Sequence, residues 1–315
     1  MLGNNSSLSQ GENSISLQNQ GEIKGSINIG YSLSDIKDLF ESFFSANLPA
    51  LVEKAKAESY RAIADFALIF HDKLNSSVND AVNKSVDEKM EEKFASSEIQ
   101  QLIREVVNQV GTKTDTSLND MLANMLIEKL NDNNNSYIIN QSISHLKYLN
   151  KDQILFLCFI KHIRGNPVVT FTYNNEEITC SCFSMYDEIN ARVSSLTIRA
   201  NIIEEAKKLY KDYINKMSNF FIKNISGPVD IDLLFLNNMI FFDKHYIETT
   251  LECFRKGMGV SDYKIENMKS DFPKLIEFLE FMKIDISNFD DAIKPLTPFG
   301  QCIADNCNIG IYKTN

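Results

Sequence analysis

The sequence predicts a mainly α protein with one β-hairpin in its C-terminal part. Proline and glycine are scarce, with 6 and 12 in 315 residues, and apolar residues recur at helical spacing over most of the chain. Runs rich in Val, Thr, Phe and Ile flank Asn174 and Asn175, which is the pattern of a hairpin. Hydrophobic residues make up 43% of the chain, enough to form a sizeable core.

The chain is predicted to have three parts. Residues 1–30 form a polar Gln/Asn/Gly repeat segment that is either strand-forming or disordered. Residues 31–113 form an amphipathic helical stalk, which ends at a polar hinge over 112–116. Residues 114–315 form a helical C-terminal domain with the hairpin at 168–183.

The first segment predicts self-assembly. Gln10-Gly11 and Gln20-Gly21 recur ten residues apart, and Ile27 and Ile29 alternate with polar neighbours. Strands this short cannot bury their apolar face alone, but they can when they stack on the same segment of another copy. We therefore predict a homo-oligomer formed through residues 4–30 and the stalk, with a disordered polar tail as the alternative for this segment.

The stalk carries apolar positions at helical spacing. The first stripe consists of Ile36, Leu39, Phe40, Phe43, Phe44 and Leu48. A second, thinner seam follows in a helix predicted from about 51 to 94, with a spacing of four from Phe70 to Phe94. Because a long helix with a thin seam needs a partner helix, we expect either self-association or an intramolecular hairpin. A further helix over 98–110 is predicted to end at Gly111.

The C-terminal domain begins with a clear amphipathic helix. Its predicted buried stripe is Leu118, Met121, Leu122, Met125, Leu126 and Leu130. Asn150 is predicted to cap a later helix over 152–163, and Thr297 to cap the last helix with Pro298 at its first position. Further helices are predicted over 137–149, before Asn150, and over 184–220, 230–242, 244–256 and 273–282. The order of helix, hairpin and final capped helix suggests a winged-helix-like arrangement.

Charge and composition limit the partners. The net charge is −10 and the pI is about 5.0, so we expect no large nucleic-acid surface and no anionic membrane partner.

The longest apolar run, 154–160, is too short to span a membrane. The start of the sequence lacks the basic and apolar regions of a signal peptide, and none of the six cysteines forms a CxxC pair. We therefore expect reduced thiols and a cytoplasmic location.

No common catalytic motif is present in the sequence. We find no GxGxxG or GxxxxGK[ST] loop after a strand, and no GxSxG or HExxH. The sequence thus predicts a protein that is not an enzyme, with no catalytic, cofactor-binding or metal-binding residues and no cofactor.

Histidines and cysteines give no metal-binding pattern. None of the four histidines has a Cys or His at ligand spacing, so we interpret them as packed or surface residues: His71, His145, His162 and His245. Four cysteines form a thiolate site only if the fold brings them together, and buried small hydrophobic residues are the ordinary explanation: Cys180, Cys182, Cys302 and Cys307.

Two stretches resemble known families. Residues 27–63, INIGYSLSDIKDLFESFFSANLPALVEKAKAESYRAI, resemble an uncharacterised bacterial family in which an Asn/Gln-Gly polar head leads into amphipathic helices. Its members often lie near antiphage-defence genes. Residues 117–160, which begin SLNDMLANML, resemble the Abi-alpha abortive-infection domains, and LTPFGQCIADNC at 296–307 is similar to that group's closing step. The resemblance carries over no catalytic residue.

These observations favour a non-enzymatic interaction and oligomerisation protein in bacterial antiphage defence. In this hypothesis residues 1–30 join copies of the chain, and the stalk acts as a spacer. The C-terminal domain binds a partner. One alternative is a winged-helix-like DNA-binding regulator. Another is a membrane-disrupting effector, in which Phe-rich helices insert into a bilayer after activation.

Overall fold

The structure is a computed structural model of the full chain. It describes residues 56–80, 93–113, 116–131, 136–165, 167–173, 176–181, 183–241 and 249–307. The predicted repeat segment 1–30 and the stripe over 36–48 lie outside these residues. The described residues are mainly helical, as the sequence predicted. None of their helices combines the length and the apolar character needed to cross a bilayer.

The helices and strands follow one another as a helical chain with a single hairpin in its described part. In order they are α1 (Lys56–Asp80), α2 (Ser97–Lys113), α3 (Thr116–Asn131), α4 (Ser136–Leu146), α5 (Lys151–Arg164), β1 (Val168–Tyr173), β2 (Glu176–Ser181), α6 (Met185–Arg192), α7 (Leu196–Asn224), α8 (Ile231–Leu236), α9 (Thr250–Met258), α10 (Ile265–Asp271), α11 (Pro273–Phe281), a 3-10 turn (Ile286–Asn288), α12 (Phe289–Ala292) and α13 (Pro298–Asn306).

The chain divides into two compact units, Met1–Asn119 and Asp120–Asn315. The division falls inside α3, whose predicted apolar stripe is buried as expected. The predicted domains 1–30, 31–113 and 114–315 stay predictions about the organisation of the chain.

In the first unit, α1 packs against α2. The buried face of α1 includes Phe66, Phe70 and Leu74, and α2 contributes Leu102 and Val106. The thin seam of α1 therefore finds a partner within its own chain, which is one of the two arrangements left open by the sequence.

The prediction that Gly111 ends a helix is wrong, because α2 continues to Lys113. Gly111 instead lies at a close approach between helices. A Cβ atom added there would be 3.3 Å from Cδ1 of Ile63. The amide of Asn119 adds a hydrogen bond to the carbonyl of Ala62, at 3.1 Å, within the same unit.

The second unit is built around α5. Every residue over 153–160 is buried, so this helix is covered on all sides and packs against α7, α9 and α13. Phe159 lies at the centre of this packing. The centroid of its ring is 4.2 Å from that of Phe278 and 5.5 Å from that of Phe221. The predicted cap is confirmed, because Asn150 and Gln153 form a reciprocal capping box.

The predicted hairpin is confirmed between α5 and α6. Its strands are antiparallel, with Val168 opposite Ser181 and Tyr173 opposite Glu176. The second strand ends at Ser181, two residues before its predicted end. Whether this hairpin is the wing of a winged-helix fold stays a prediction.

The prediction of a single helix over 184–220 is wrong. The structure has α6 and α7 instead, with Val193 in an extended conformation between them. The guanidinium of Arg199 donates two hydrogen bonds to the carbonyl of Val193, at 3.0 and 2.6 Å. This contact joins residues only six apart in the chain and satisfies the carbonyl group at the end of α6, so it is a local arrangement that separates the two helices.

The helix predicted over 230–242 is also shorter than expected. It ends at Leu236, after which Asn238 adopts a left-handed conformation with φ 57°. The chain then turns back, and Ile240 forms an antiparallel bridge with Leu296. The sequence did not predict α10.

The last helix, α13, begins as predicted. The hydroxyl of Thr297 accepts a hydrogen bond from the amide of Gly300 at 3.2 Å, and Pro298 occupies the first position. Gly300 is buried against the backbone of Met239. A Cβ atom added at Gly300 would overlap the carbonyl oxygen of Met239. This close approach holds α13 against the bridge.

Replacing Gly300 with alanine should therefore destabilise the protein. We expect Gly300→Ala to lower the free energy of unfolding by about 2–3 kcal/mol, because backbone atoms cannot rotate away from the added methyl group. Urea denaturation of the full chain measures this loss.

The matched control is Gly227→Ala, because a Cβ atom at Gly227 would meet nothing within 4 Å. We expect this variant to stay within about 0.5 kcal/mol of wild type. Equal stability of the two variants would show that α13 does not approach Met239 as described.

Candidate functional site

A cleft opens at the C-terminal end of α5, within the second unit. Its cavity has a volume of about 400 Å³, which is in the range for small-molecule sites. Its lining comes from the end of α5, from α7 and α13, and from the segment before α13: Ile160, Lys161, His162, Arg164, Gly165, Pro167, Tyr213, Pro295, Leu296 and Gln301. We call this site the α5 cleft.

The end of α5 explains why basic side chains gather here. The last carbonyl groups of a helix have no partner within it, and they carry a partial negative charge. Lys161, His162 and Arg164 all lie in this last turn. Residues 154–160, which precede them, are all apolar and buried, so Lys161 and Arg164 lie where the helix leaves the core.

Arg164 is held from outside α5. Its Nη1 atom donates a hydrogen bond to the hydroxyl oxygen of Thr250 at 2.6 Å. Thr250 is buried at the start of α9, and its hydroxyl donates in turn to the carbonyl of Ile293 at 2.5 Å. The position of the guanidinium is thus fixed by a buried chain of hydrogen bonds.

Lys161 and Gln301 are both held by Asp305. The Nζ atom of Lys161 lies 2.7 Å from Oδ1 of Asp305 and 3.4 Å from the carbonyl oxygen of Ala304. The amide of Gln301 donates to the same carboxylate oxygen at 2.8 Å. Asp305 itself is not among the lining residues, and the described lining contains no acidic side chain.

His162 and Tyr213 form a neutral pair in the wall of the cleft. Nδ1 of His162 lies 2.9 Å from the hydroxyl oxygen of Tyr213. Burial, followed by the nearby charge of Lys161, lowers the pKa of His162 to about 4. The imidazole is therefore uncharged at neutral pH, and the pair shares one hydrogen bond whose direction depends on the tautomer.

The other described histidines, His71 and His145, are not among the lining residues of the cleft. The ring of His145 lies 6.0 Å from Phe299 and 6.5 Å from Tyr148, and Nδ1 of His71 lies 3.5 Å from Asp72. His245 lies outside the described residues. His162 is buried, as the packed interpretation expected, but it also lines the cleft.

The cysteines that the structure describes are buried or half-buried thiols. Burial raises the pKa of Cys302 to about 11. Hydrogen bonding to Cys307, and then burial, raises the pKa of Cys158. The proposed four-thiolate set is not tested, because Cys182 lies outside the described residues. Among the residues that are described, no group of three or more His, Cys, Asp or Glu is arranged to hold a metal ion.

Sequence analysis missed the cleft as a site. The basic residues before Gly165 are visible in the sequence, and there they mark only the end of a helix. Tyr213 and Gln301 come from segments about 50 and 140 residues further along, at ordinary helical positions. No spacing in the sequence connects them to Lys161 and Arg164.

Comparison with known proteins places the chain in a family. The model of an uncharacterised family, described only as ":-like", matches residues 30–309. The chain belongs to this family. The description names no activity or ligand, and neither a curated protein nor a solved structure gives a significant match to the chain.

The buried imidazole should make stability depend on pH. Because the folded-state pKa of His162 lies below its ordinary value of 6.5, the unfolded chain binds a proton between about pH 6.5 and 4 that the folded chain excludes. We expect stability that is fully present above pH 6.5 to be lost as the pH falls towards 4, by about 3 kcal/mol.

The variant His162→Gln tests this expectation, since it keeps a polar partner for Tyr213 and removes the titrating ring. Unfolding free energies of the full chain at about pH 7.5 and 4.5 should differ less in this variant than in wild type. His71→Gln, outside the cleft, is the control and should keep the wild-type difference. An unchanged difference in His162→Gln would contradict the assignment to His162.

Proposed function

We propose that this is a non-enzymatic binding protein whose C-terminal unit takes up a small molecule in the α5 cleft. The observation that carries the proposal is the cleft itself, a concave site in which several polar side chains converge. Ligand sites in proteins have this character, with a few positioned polar groups among apolar walls.

The polar groups are also preorganised. Thr250 holds Arg164, Asp305 holds Lys161 and Gln301, and Tyr213 is paired with His162. Side chains that are already fixed lose less conformational entropy when a ligand binds, so more of the contact energy appears as affinity. These groups are sufficient to bind and orient a ligand.

Filling the cleft should abolish ligand binding. Gln301 is exposed, so Gln301→Trp places a large ring in the cleft without adding volume to the core. We expect ligand-observed NMR of the full chain with a panel of sugar phosphates, carboxylic acids, amino acids and nucleosides to give signals that this variant removes.

The matched control is Gln101→Trp, the same change at an exposed position of α2 in the first unit. It should leave the wild-type signals unchanged. If no compound gives a signal that depends on residue 301, the α5 cleft is not the ligand site.

We also propose that copies of the chain assemble into an oligomer. Self-association through residues 4–30 and the stalk is supported by the Gln-Gly repeat and the alternating isoleucines of the sequence. A role in cytoplasmic antiphage defence is supported by the two sequence resemblances. In this proposal the assembled part displays several copies of the ligand-binding unit.

Removal of the first segment tests assembly directly. The mass of the full chain from light scattering should rise with protein concentration, whereas a chain that begins at Ser32 should have a smaller mass at each concentration. The reason is that the strands predicted over 4–30 have no other way to bury their apolar side chains. A monomeric mass for both chains at high concentration would contradict the assembly proposal.

A winged-helix-like DNA-binding regulator is the alternative that the hairpin favours. Thr170 and Thr179 face each other across β1 and β2, with their hydroxyl oxygens 3.1 Å apart, and both residues are exposed. An exposed hairpin next to a helix is the geometry from which a wing contacts DNA. The net charge of −10 weighs against this alternative.

A further inference from the structure

We propose that the ligand of the α5 cleft carries an oxyanion, either a phosphate or a carboxylate group, and that this group competes with Asp305 for Lys161. The inference rests on the proposed binding function of the cleft and adds the chemical class of the ligand. It also gives Asp305 a role as the internal counterion that the ligand displaces.

The charge of the lining is the first argument. Lys161 and Arg164 both line the cavity, and none of the lining residues that the structure describes is acidic. The whole chain carries 42 acidic and 32 basic residues, so this is a local reversal of the overall charge. Even with the Asp305 carboxylate beside Lys161, these groups leave a net positive charge, and a concave surface of positive charge attracts anions.

The fixed guanidinium of Arg164 is the second argument. Arginine presents its N–H groups as a planar fork that matches the oxygen atoms of carboxylate and phosphate groups. The hydrogen bond to Thr250, at 2.6 Å, restrains this plane. A restrained fork selects a planar or tetrahedral oxyanion over a neutral group, because an anion adds ion-pair attraction and a second acceptor oxygen to the hydrogen bond that a neutral acceptor also receives.

Lys161 supplies the third argument. An ammonium group has three donors, and two of those of Lys161 are directed to Asp305 and to the carbonyl of Ala304. The third is left for a ligand. The Asp305 side chain is 48% exposed, so water can solvate its carboxylate when Lys161 turns to the ligand, and the exchange costs little.

The apolar part of the lining indicates that the oxyanion belongs to a small organic molecule. Pro167, Pro295 and Leu296 form its half-buried part. A free inorganic ion would leave these side chains uncovered, whereas a ring or short chain attached to the oxyanion would bury them.

A purely structural role for the same charges makes a different prediction. Basic residues at a helix end offset its dipole, and Lys161 with Asp305 is then only a surface ion pair. In that case loss of either partner affects stability slightly and has no opposite effects on ligand affinity. The two hypotheses therefore separate in a binding experiment.

The experiment compares three probes of similar size by calorimetry with the full chain: phenyl phosphate, benzoate and benzamide. Benzamide has the shape of benzoate without its charge. We expect at least one of the two anions to bind about tenfold or more tightly than benzamide, because the neutral amide gains no ion-pair attraction to Arg164 and Lys161. Whichever of the two anions binds more tightly identifies the oxyanion.

The variants Lys161→Gln and Asp305→Asn break the same ion pair from opposite sides. We expect Lys161→Gln to weaken binding of the anion about tenfold and Asp305→Asn to strengthen it about threefold, because the competing charge is gone. Lys207→Gln breaks the Lys207–Glu204 pair, 2.8 Å apart on α7, and should leave the affinity unchanged. Anion binding should also be lost in Gln301→Trp.

Two results would overturn the inference: benzamide binding as tightly as both anions, or Asp305→Asn failing to strengthen anion binding. If a neutral ligand binds in a manner that Gln301→Trp abolishes, the oxyanion inference fails while the proposed function stands. If no compound of any class depends on residue 301, both fail.

Discussion

The complete burial of α5 is the constraint on which the second unit depends. Eight consecutive residues, 153–160, lie in the core, so the helix needs apolar partners on every side rather than on one stripe. It finds them in α7, α9 and α13, with Phe159 between Phe221 and Phe278. At its start, the capping box of Asn150 and Gln153 satisfies two backbone donors that have no partner within the helix.

The polar end of the same helix creates the cleft. Lys161 and Arg164 follow directly on the buried stretch, where the helix reaches solvent and its last carbonyl groups need compensation. Because α9 and α13 cover the core up to this point, their first and last residues provide the partners: Thr250 for Arg164, and Asp305 for Lys161. The cleft is therefore a consequence of how a buried helix ends, and its charges are held by contacts within the protein.

The wall opposite α5 is set by a reversal of the chain rather than by a helix. Residues 239 and 241 exchange backbone hydrogen bonds with 295 and 297, and Ile240 bridges Leu296. This pairing positions Pro295 and Leu296 in the lining, and the close contact of Gly300 with Met239 fixes α13 beside them. A left-handed residue, Asn238, makes the turn possible.

The sequence by itself determined the mainly helical fold, the hairpin, and the caps at Asn150 and Thr297. These features depend on residues within a few positions of one another, where periodicity and capping preferences act directly. Tertiary structure alone decided where the helix predicted over 230–242 ends and which residues meet in the cleft. The chain reverses after α8 so that Ile240 pairs with Leu296, and Tyr213 and Gln301 join Lys161 only because separate helices pack on α5. Such contacts depend on distances between elements far apart in the chain, and local preferences carry no record of those distances.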